Sequence, residues 1–341
     1  MRKWEYLIVA LCIACMFAGG LNVSAQSSKK PTFVNFMWDL DLPANVSSEE
    51  LENAKAQIAD VGNLMNLNNA RWNLFLTQGA MEQTRLLLAQ LALDPLLEIG
   101  ISGSHLDEKL SAKSYSEQLS ILEKSMYYAK GVGICDVNEV QARGFLPQSF
   151  DQNEDTYKAI DEVGLDYDAG FQAGILYAPG HDEDVWPYRV EGHEFYAVPI
   201  STYMLSGELV PLSDRYAKDN GISPSEWKDM LVGKFDEISG EDEPMVISLS
   251  SSISGSGEYA EALNEFIDYA SSNNAEFVSS SDLVEMSRTG IHELSEELLA
   301  AKAAFAAQKA EEAQADTSSD CPECDDKNNG TSLGTEVVLE L

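Results

Sequence analysis

Residues 31–43 read Pro-Thr-Phe-Val-Asn-Phe-Met-Trp-Asp-Leu-Asp-Leu-Pro, and this stretch decides the fold. Its first part is apolar at nearly every position, which is typical of a strand inside a parallel sheet that helices cover on both faces. Because alternate residues of a strand point to the same side, we expect Asp39 and Asp41 to project together from its carboxyl end. In α/β barrels that end carries the functional site. The stretch therefore predicts an α/β protein with two acids at its site.

Helical and strand-like segments alternate along the rest of the chain. Ser47 and Glu50 form a capping-box pattern before a periodic apolar run, which predicts a helix directly after the first strand. Further strands are predicted at residues 70–77, 96–101, 131–135, 165–168, 174–177, 195–202, 245–249 and 275–278. Further helices are predicted at residues 81–93, 114–129, 153–163, 225–238, 258–270 and 281–287. This order predicts a distorted parallel (β/α) barrel of seven or eight strands with right-handed crossovers.

The first 25 residues have the pattern of a secretory signal peptide. Arg2 and Lys3 precede an apolar run at residues 6–21, and small residues lead to a predicted cleavage site after Ala25. The run is short for a transmembrane helix, and no later segment reaches the apolar length that a membrane span needs. We therefore expect a secreted or extracytoplasmic protein of the cell envelope without a transmembrane span.

Three regions are predicted after the signal peptide. The barrel is expected at residues 31–288, an Ala/Glu-rich helix at 291–314, and an acidic tail at 315–341 whose composition predicts disorder. Cys321 and Cys324 form one C-x-x-C pair in the tail. Such a pair supplies two of the four ligands of a structural zinc site, which favours a flexible tail, with room for a local disulfide, over a metal site.

The chain is strongly acidic. It contains 57 Asp and Glu residues against 22 Lys and Arg residues, which gives a formal net charge of −35. A surface of this kind repels nucleic acid and anionic lipid, so we exclude nucleic acid as a partner. The hydrophobic content of 44% is ample for a packed core.

Several short segments occur in an order that a known family shares. They are Asp39-Leu40-Asp41, residues 70–79, Glu98-Ile99-Gly100, residues 144–148, residues 153–156 with 162–168, and residues 187–190 with 198–201. In order and spacing they resemble the motifs of the polysaccharide deacetylase family, the NodB homology domain of carbohydrate esterase family 4, over residues 31–288. The resemblance implies a barrel fold and a polysaccharide or other glycan as partner.

The resemblance also implies a reaction. In that family a divalent, zinc-like metal activates water for the hydrolysis of N-acetyl groups on amino-sugar polymers. By the resemblance Asp39 is the general base, and Asp41 and His105 are metal ligands. The family's orienting arginine falls on Leu146, and Arg143, three residues earlier, is the candidate to replace it.

The chain departs from the family pattern at three positions. Ser102 stands where the family's His-x-x-x-His loop begins, Leu146 stands at the arginine position, and Ser250 stands where a late strand carries the histidine that protonates the leaving amine. Two functions stay open: a deacetylase with a reduced metal site, and a catalytically inactive glycan-binding or cell-envelope protein that needs no metal. The three substitutions favour the second. A scaffold whose C-terminal helix and tail recruit a partner is a third alternative.

Each candidate residue also has a simpler interpretation. Trp186 and Tyr188 are candidate substrate-binding residues because flat aromatic faces stack on sugar rings, but aromatic rings also pack in cores. His105 is either a metal ligand or a loop histidine that caps the next helix. Asp39 and Asp41 are either a functional pair or two acids that end a strand in an acidic protein.

Overall fold

The computed structural model describes residues 30–43, 45–132 and 141–318. The first of two compact units ends at Leu294 and is built around a curled sheet. The described strands are β1 Thr32–Asp39, β2 Trp72–Leu76, β3 Leu97–Ile101, β4 Gly144–Phe145, β5 Tyr167–Gln172, β6 Tyr188–Arg189, β7 Tyr196–Ile200, β8 Thr202–Leu205, β9 Glu208–Pro211, β10 Met245–Ser250 and β11 Ala275–Phe277. The described helices of this unit are α1 Ser48–Leu67, α2 Gln78–Gln83, α3 Arg85–Leu91, α4 Tyr115–Val132, α5 Glu154–Val163, α6 Asp214–Asp219, α7 Pro224–Ile238, α8 Ser251–Ser254, α9 Gly257–Ser272 and α10 Ser280–Thr289.

The sheet is parallel over most of its width. Its strands follow the order β10-β1-β2-β3-β4-β5-β7-β6, and β11 also pairs with β1. The β6–β7 pair is antiparallel, whereas β10, β1 to β5 and β7 run in one direction. Ser201, directly after β7, donates its backbone N–H to Val246 O of β10 (2.9 Å), and Val246 N donates to Ser201 Oγ (2.9 Å). These bonds join the end of β7 to β10, which lie near opposite ends of the strand order. The predicted distorted parallel (β/α) barrel is confirmed.

Strand β1 is buried on both faces, which explains its continuous apolar pattern. Phe33 and Met37 belong to the cluster inside the barrel, together with residues of α10. Phe36 and Trp38 belong to the outer layer, together with residues of α1. All four side chains are at most 2% exposed. The hydrophobic effect therefore stabilises this strand from two sides.

A network of polar side chains crosses the interior near the amino-terminal ends of the strands. Asn35 Nδ2 donates to Asn73 Oδ1 (2.8 Å), and Asn73 Nδ2 donates to Glu98 Oε1 (2.8 Å). The Tyr167 hydroxyl donates to the same Glu98 oxygen (2.7 Å), and Ser280 N of α10 donates to Asn73 Oδ1 (2.9 Å). The network joins β1, β2, β3 and β5 to α10, and burial raises the pKa of Tyr167 well above its usual range.

Several local predictions are confirmed, one predicted strand is wrong, and one lies mostly outside the described residues. Helix α1 begins at Ser48 behind the predicted capping box. The strand predicted at residues 174–177 is wrong: Gln172 N donates to Leu176 O (2.8 Å), and Gly174, with φ of +69°, lies in a turn that reverses the chain. The strand predicted at 131–135 begins inside α4, and its remaining residues lie outside the described part of the chain.

The second unit begins at Ser295, and its described part is the helix α11 Glu296–Ser318. The predicted signal peptide, Cys321 and Cys324 lie outside the described residues. Among the helices that the structure describes, none is long and apolar enough to cross a membrane.

Candidate functional site

A cavity of about 380 Å³ lies at the carboxyl ends of β1 and β10. Its lining residues include Asp39, Asp41, Asp107, Asp214 and Arg215. Asp39 is the last residue of β1, Asp41 follows two residues later, and α6 supplies Asp214 and Arg215 at its amino end. The structure thus brings the two acids of the first strand together at the end of the barrel where the sequence places a site.

Asp39 is held by an amide side chain from the neighbouring loop. Gln148, which begins a short 3-10 turn after β4, donates Nε2 to Asp39 Oδ2 (3.3 Å) and to Ser102 Oγ (2.6 Å). Ser102 Oγ in turn donates to Leu146 O (2.7 Å). Burial, followed by the negative charge of Asp41, raises the pKa of Asp39 well above its usual range. Asp39 therefore holds a proton to a higher pH than an exposed aspartate does.

Asp41 is held by a cation. Arg215 Nη2 donates to Asp41 Oδ2 and also to Ser250 Oγ (3.1 Å). Ser252 Oγ donates to the same Asp41 oxygen (2.9 Å). Burial raises the pKa of Asp41, but Arg215 and Ser252 oppose that rise by stabilising the charged form. The Arg215 ion pair therefore favours the charged form of Asp41.

Asp214 fixes the adjacent strand end to α6. Its carboxyl oxygens accept from Ser250 N at 3.1 and 2.9 Å. Burial raises the pKa of Asp214 to about 7, although these hydrogen bonds oppose the rise. Ser213 caps α6 by accepting from Tyr216 N (3.4 Å). The start of α6 therefore places Asp214 against the end of β10 and Arg215 against Asp41.

The loop after β4 forms another wall of the cavity in an uncommon conformation. Ser149 and Phe150 both line the cavity and have φ values of +55° and +57°. Non-glycine residues rarely adopt the left-handed region, and they concentrate at functional sites when they do. This conformation supports a site at this end of the barrel.

His105 is not brought to Asp41. Its Nδ1 donates to Leu106 O (2.8 Å), and its Nε2 lies 3.9 Å from Glu108 Oε1. The side chain is 54% exposed and does not line the cavity, whereas the next two residues do. The predicted metal pair of Asp41 and His105 is not assembled in this conformation.

Arg143 also lies away from the two acids. Its Nε lies 2.6 Å from Asp166 Oδ2, in an ion pair beside the first residue of β5. It does not line the cavity. The arginine that contacts Asp41 is Arg215, which is not among the residues predicted from the sequence.

The two aromatic candidates are engaged in packing elsewhere. Trp186 stacks on His292 with ring centroids 3.7 Å apart and donates Nε1 to Asp242 O (2.8 Å). Tyr188 stacks on His181 at 4.0 Å, and its hydroxyl accepts from Ala178 N (3.0 Å). Neither residue lines the cavity, so the structure does not bring them to Asp39 and Asp41.

The donor set does not fit the zinc-like metal that the resemblance implies. A catalytic zinc site needs about three protein ligands. Within the described ranges no group of three His, Cys, Asp or Glu side chains is placed to hold a metal ion. Moreover, the Asp41 oxygen that binds Arg215 already has a positive partner. We therefore derive no reaction step through a metal.

Sequence reasoning missed Gln148, Asp214 and Arg215. The signal available for the last two was the triplet Ser213-Asp214-Arg215, in which a capping serine precedes an acid and a base. Nothing in that triplet connects it to Asp41, which lies 174 positions earlier in the chain.

Comparison with known proteins relates the chain to solved structures through its fold. No family model and no curated protein matches it. A putative polysaccharide deacetylase from Mycobacterium smegmatis superposes with a TM-score of 0.60 at 15% identity, over 78% of this chain and 93% of that one. The allantoinase Puue gives 0.61 at 14% identity over the same shares. A probable polysaccharide deacetylase from Pseudomonas aeruginosa PAO1 gives 0.60 at 14%, over 77% and 93%. The chain therefore has a deacetylase-like fold.

Proposed function

We propose that this chain is an extracytoplasmic glycan-binding protein on a deacetylase-like barrel, and that it binds its ligand without hydrolysing it. One observation carries the proposal: the Arg215 guanidinium binds the carboxylate of Asp41, the residue that the resemblance assigns to a metal. A cation fixed at that oxygen repels a second cation at the same place. The half-exposed His105 supplies no compensating ligand.

The cavity has the chemistry that a sugar ring requires. Ser250 and Ser252 present hydroxyl groups and Gln148 an amide, while Leu106 and Phe150 contribute apolar surface. Sugar hydroxyls donate and accept hydrogen bonds, so they match such mixed linings. The volume of about 380 Å³ lies within the range of about 300–1,000 Å³ for small-molecule sites. The fold likeness to polysaccharide deacetylases supports a glycan as ligand.

The test combines binding, metal content and turnover on the chain that begins at Gln26. Oligomers of N-acetylglucosamine and of glucosamine are titrated by calorimetry, zinc is measured by elemental analysis, and acetate release is assayed. We expect binding of at least one oligomer, no stoichiometric zinc, and acetate release no greater than that of Asp39→Asn. Stoichiometric zinc with acetate release that Asp39→Asn abolishes would contradict the proposal. Failure of both oligomers to bind would also contradict the proposal.

The geometry of the two adjacent carboxyl groups favours a second candidate function, a slow amide hydrolase that needs no metal. The pKa of Asp39 is raised well above its usual range by burial, whereas Arg215 and Ser252 oppose the rise at Asp41, and general acid–base catalysis uses carboxyl groups in such differing environments. In that case acetate release would persist in the presence of a chelator. It would be lost in both Asp39→Asn and Asp41→Asn.

A further inference from the structure

Five large apolar side chains are exposed on two neighbouring segments, the turn after β5 and the hairpin of β8 and β9. Ile175, Leu176 and Tyr177 belong to the turn, and Met204 and Leu209 belong to the hairpin. Each of these residues is between 37% and 57% exposed. Single exposed apolar residues are ordinary, whereas a contiguous group of them marks an interaction surface. We call these five residues the hairpin patch.

The two segments contact each other, so the hairpin patch is continuous. Thr202 Oγ1 at the start of β8 donates to Ala173 O in the turn (3.1 Å). Leu209 lies against the turn, because a Cβ atom on Gly174 would be only 2.9 Å from Leu209 Cδ2. Met204 and Leu209 are opposite each other in the antiparallel pair, which places their side chains on one face of the hairpin.

The hairpin also offers backbone groups to a partner. Among the described strands, β8 and β9 form a two-stranded sheet of their own, so each is an edge strand. Edge strands are commonly protected against pairing by proline or by charged side chains. Strand β8 has the sequence Thr-Tyr-Met-Leu and contains neither. An extended polypeptide can add to such an edge through backbone hydrogen bonds, which favours a polypeptide as the occupant.

The surroundings of the hairpin patch are acidic. Residues 171–211 contain one arginine, Arg189, which pairs with Glu194. Glu208 is exposed and directly precedes Leu209, and the backbone oxygen of Asp182 would lie 3.9 Å from a Cβ atom on Gly174. The carboxylates of this segment are Asp182, Glu183, Asp184, Glu191, Glu194 and Glu208.

This charge decides between the possible occupants of an apolar surface. A second copy of the chain would bring the same acids and a formal net charge of −35 against the first. An anionic lipid surface is repelled for the same reason. A polypeptide that carries lysine or arginine beside apolar side chains complements both the apolar patch and its acidic surroundings.

We propose that the hairpin patch is a docking surface for a basic, apolar segment of a partner polypeptide. The apolar side chains of that segment cover the five residues of the patch, and its cations face the acids around Glu208 and Asp182. None of the five residues lines the cavity at Asp39 and Asp41. The inference is therefore independent of the proposed glycan binding.

The test titrates the chain that begins at Gln26 with three synthetic peptides of equal length by calorimetry. One peptide alternates leucine with lysine, the second leucine with glutamate, and the third serine with lysine. We expect the first to bind at least about tenfold more tightly than each of the others, because it combines cations with apolar side chains. Equal binding of the leucine–lysine and serine–lysine peptides would leave only a general charge attraction and would overturn the inference.

Two matched pairs of variants at exposed positions locate the binding. Met204→Ser removes apolar surface from the hairpin patch, and Leu86→Ser makes a similar change on α3, where Leu86 is 73% exposed. Glu208→Gln removes a charge beside the patch, and Glu82→Gln removes one from α2. We expect Met204→Ser and Glu208→Gln to weaken binding of the leucine–lysine peptide severalfold and their controls to leave it unchanged. If the controls lose as much binding, the peptide does not dock at the hairpin patch and the inference is wrong.

The other occupants are tested with the same variants. Dimerisation in sedimentation that Met204→Ser abolishes would identify a second copy as the occupant. Binding to phosphatidylcholine vesicles that Met204→Ser abolishes would identify a lipid surface, and either result overturns the inference. Glucosamine and N-acetylglucosamine oligomers should bind Met204→Ser as they bind the parent chain, and a loss of that binding would assign the patch to the glycan site instead.

Discussion

At the scale of single residues, Asp168 of β5 is a buried acid without a cation beside it. Its Oδ1 accepts from Gly170 N (2.8 Å), and its Oδ2 has no partner among the described residues. Burial raises the pKa of Asp168 to about 8, and the Gly170 and Gln152 contacts reduce the rise only in part. The folded chain therefore keeps a proton that the unfolded chain releases near pH 4.

This shift predicts a pH-dependent loss of stability. Between about pH 4 and pH 8 the folded state binds a proton at Asp168 that the unfolded state does not. The contribution of Asp168 to the free energy of unfolding therefore falls as pH rises, by up to about 1.4 kcal/mol per pH unit. We expect Asp168→Asn to match the parent chain at pH 4 and to exceed it by about 1–3 kcal/mol at pH 8. Urea denaturation at both pH values measures this. Parallel pH curves for the two chains would contradict the assignment.

Arg215 is predicted to stabilise the fold when Asp41 is charged. Arg215→Ala removes the cation that pairs with the nearly inaccessible Asp41 carboxyl group, which should cost about 1–3 kcal/mol at pH 7. The loss should shrink at pH 4, because Asp41 then takes up a proton. Adding Asp41→Asn should recover most of the stability, and chemical denaturation of the four chains of this double-mutant cycle measures the coupling.

A matched arginine serves as control for that cycle. Arg189 pairs with Glu194 at 2.6 Å, and both side chains are more than half exposed. Arg189→Ala is therefore expected to cost less than about 1 kcal/mol with little dependence on pH. If Arg215→Ala behaves like this control, the Arg215–Asp41 pair is only a surface contact.

At the scale of elements, the short helix α6 carries much of the site. It supplies Asp214 and Arg215 from its first two residues, and its amino end is held by the Ser213 cap and by the bond from Ser250 N to Asp214. The orientation of the guanidinium thus depends on how this helix begins.

Removal of the cap is predicted to affect both stability and binding. Ser213→Ala leaves Tyr216 N without its acceptor, which should cost about 1 kcal/mol and weaken glycan binding as α6 loosens. Ser223→Ala removes the equivalent cap of α7, where Ser223 Oγ accepts from Glu226 N (3.3 Å). It should cost a similar amount without weakening binding. Thermal melts measure the stability effect and calorimetry the binding effect. Equal losses of binding in the two variants would show that α6 does not contribute to the binding site.

The elements differ in how well their sequence predicts them. Strand β1 was predictable because its burial on two faces leaves a continuous apolar run, and α1 because a capping box is a local pattern. The hairpin of β8 and β9 and the helix α6 were not predicted, because each strand has only four residues and the helix only six, too few to show a period. The sequence spacing of His105 could not show that its ring turns to Leu106. Arg215 was missed because its partner is set by the tertiary fold.

At the scale of the whole molecule, the acidic chain is predicted to act outside the cell. The pattern of residues 1–25 predicts cleavage after Ala25, so the mature protein is expected to begin at Gln26. Amino-terminal sequencing and mass measurement of the protein isolated from its own cells test this. Ala25→Arg should block cleavage at that bond. A mature chain that retains residues 1–25 would contradict the prediction of export by this route.

The Arg215–Asp41 ion pair determines which substitutions can change the chemistry of the cavity. A histidine introduced at Ser102, or a reoriented His105, would add a metal donor beside a carboxylate that is already neutralised. Such a change alone is expected to give little gain in metal affinity, because the positive guanidinium beside Asp41 repels a metal ion. Any route from this protein to a metalloenzyme therefore begins with the loss of Arg215, and the order of the substitutions is set by this one ion pair.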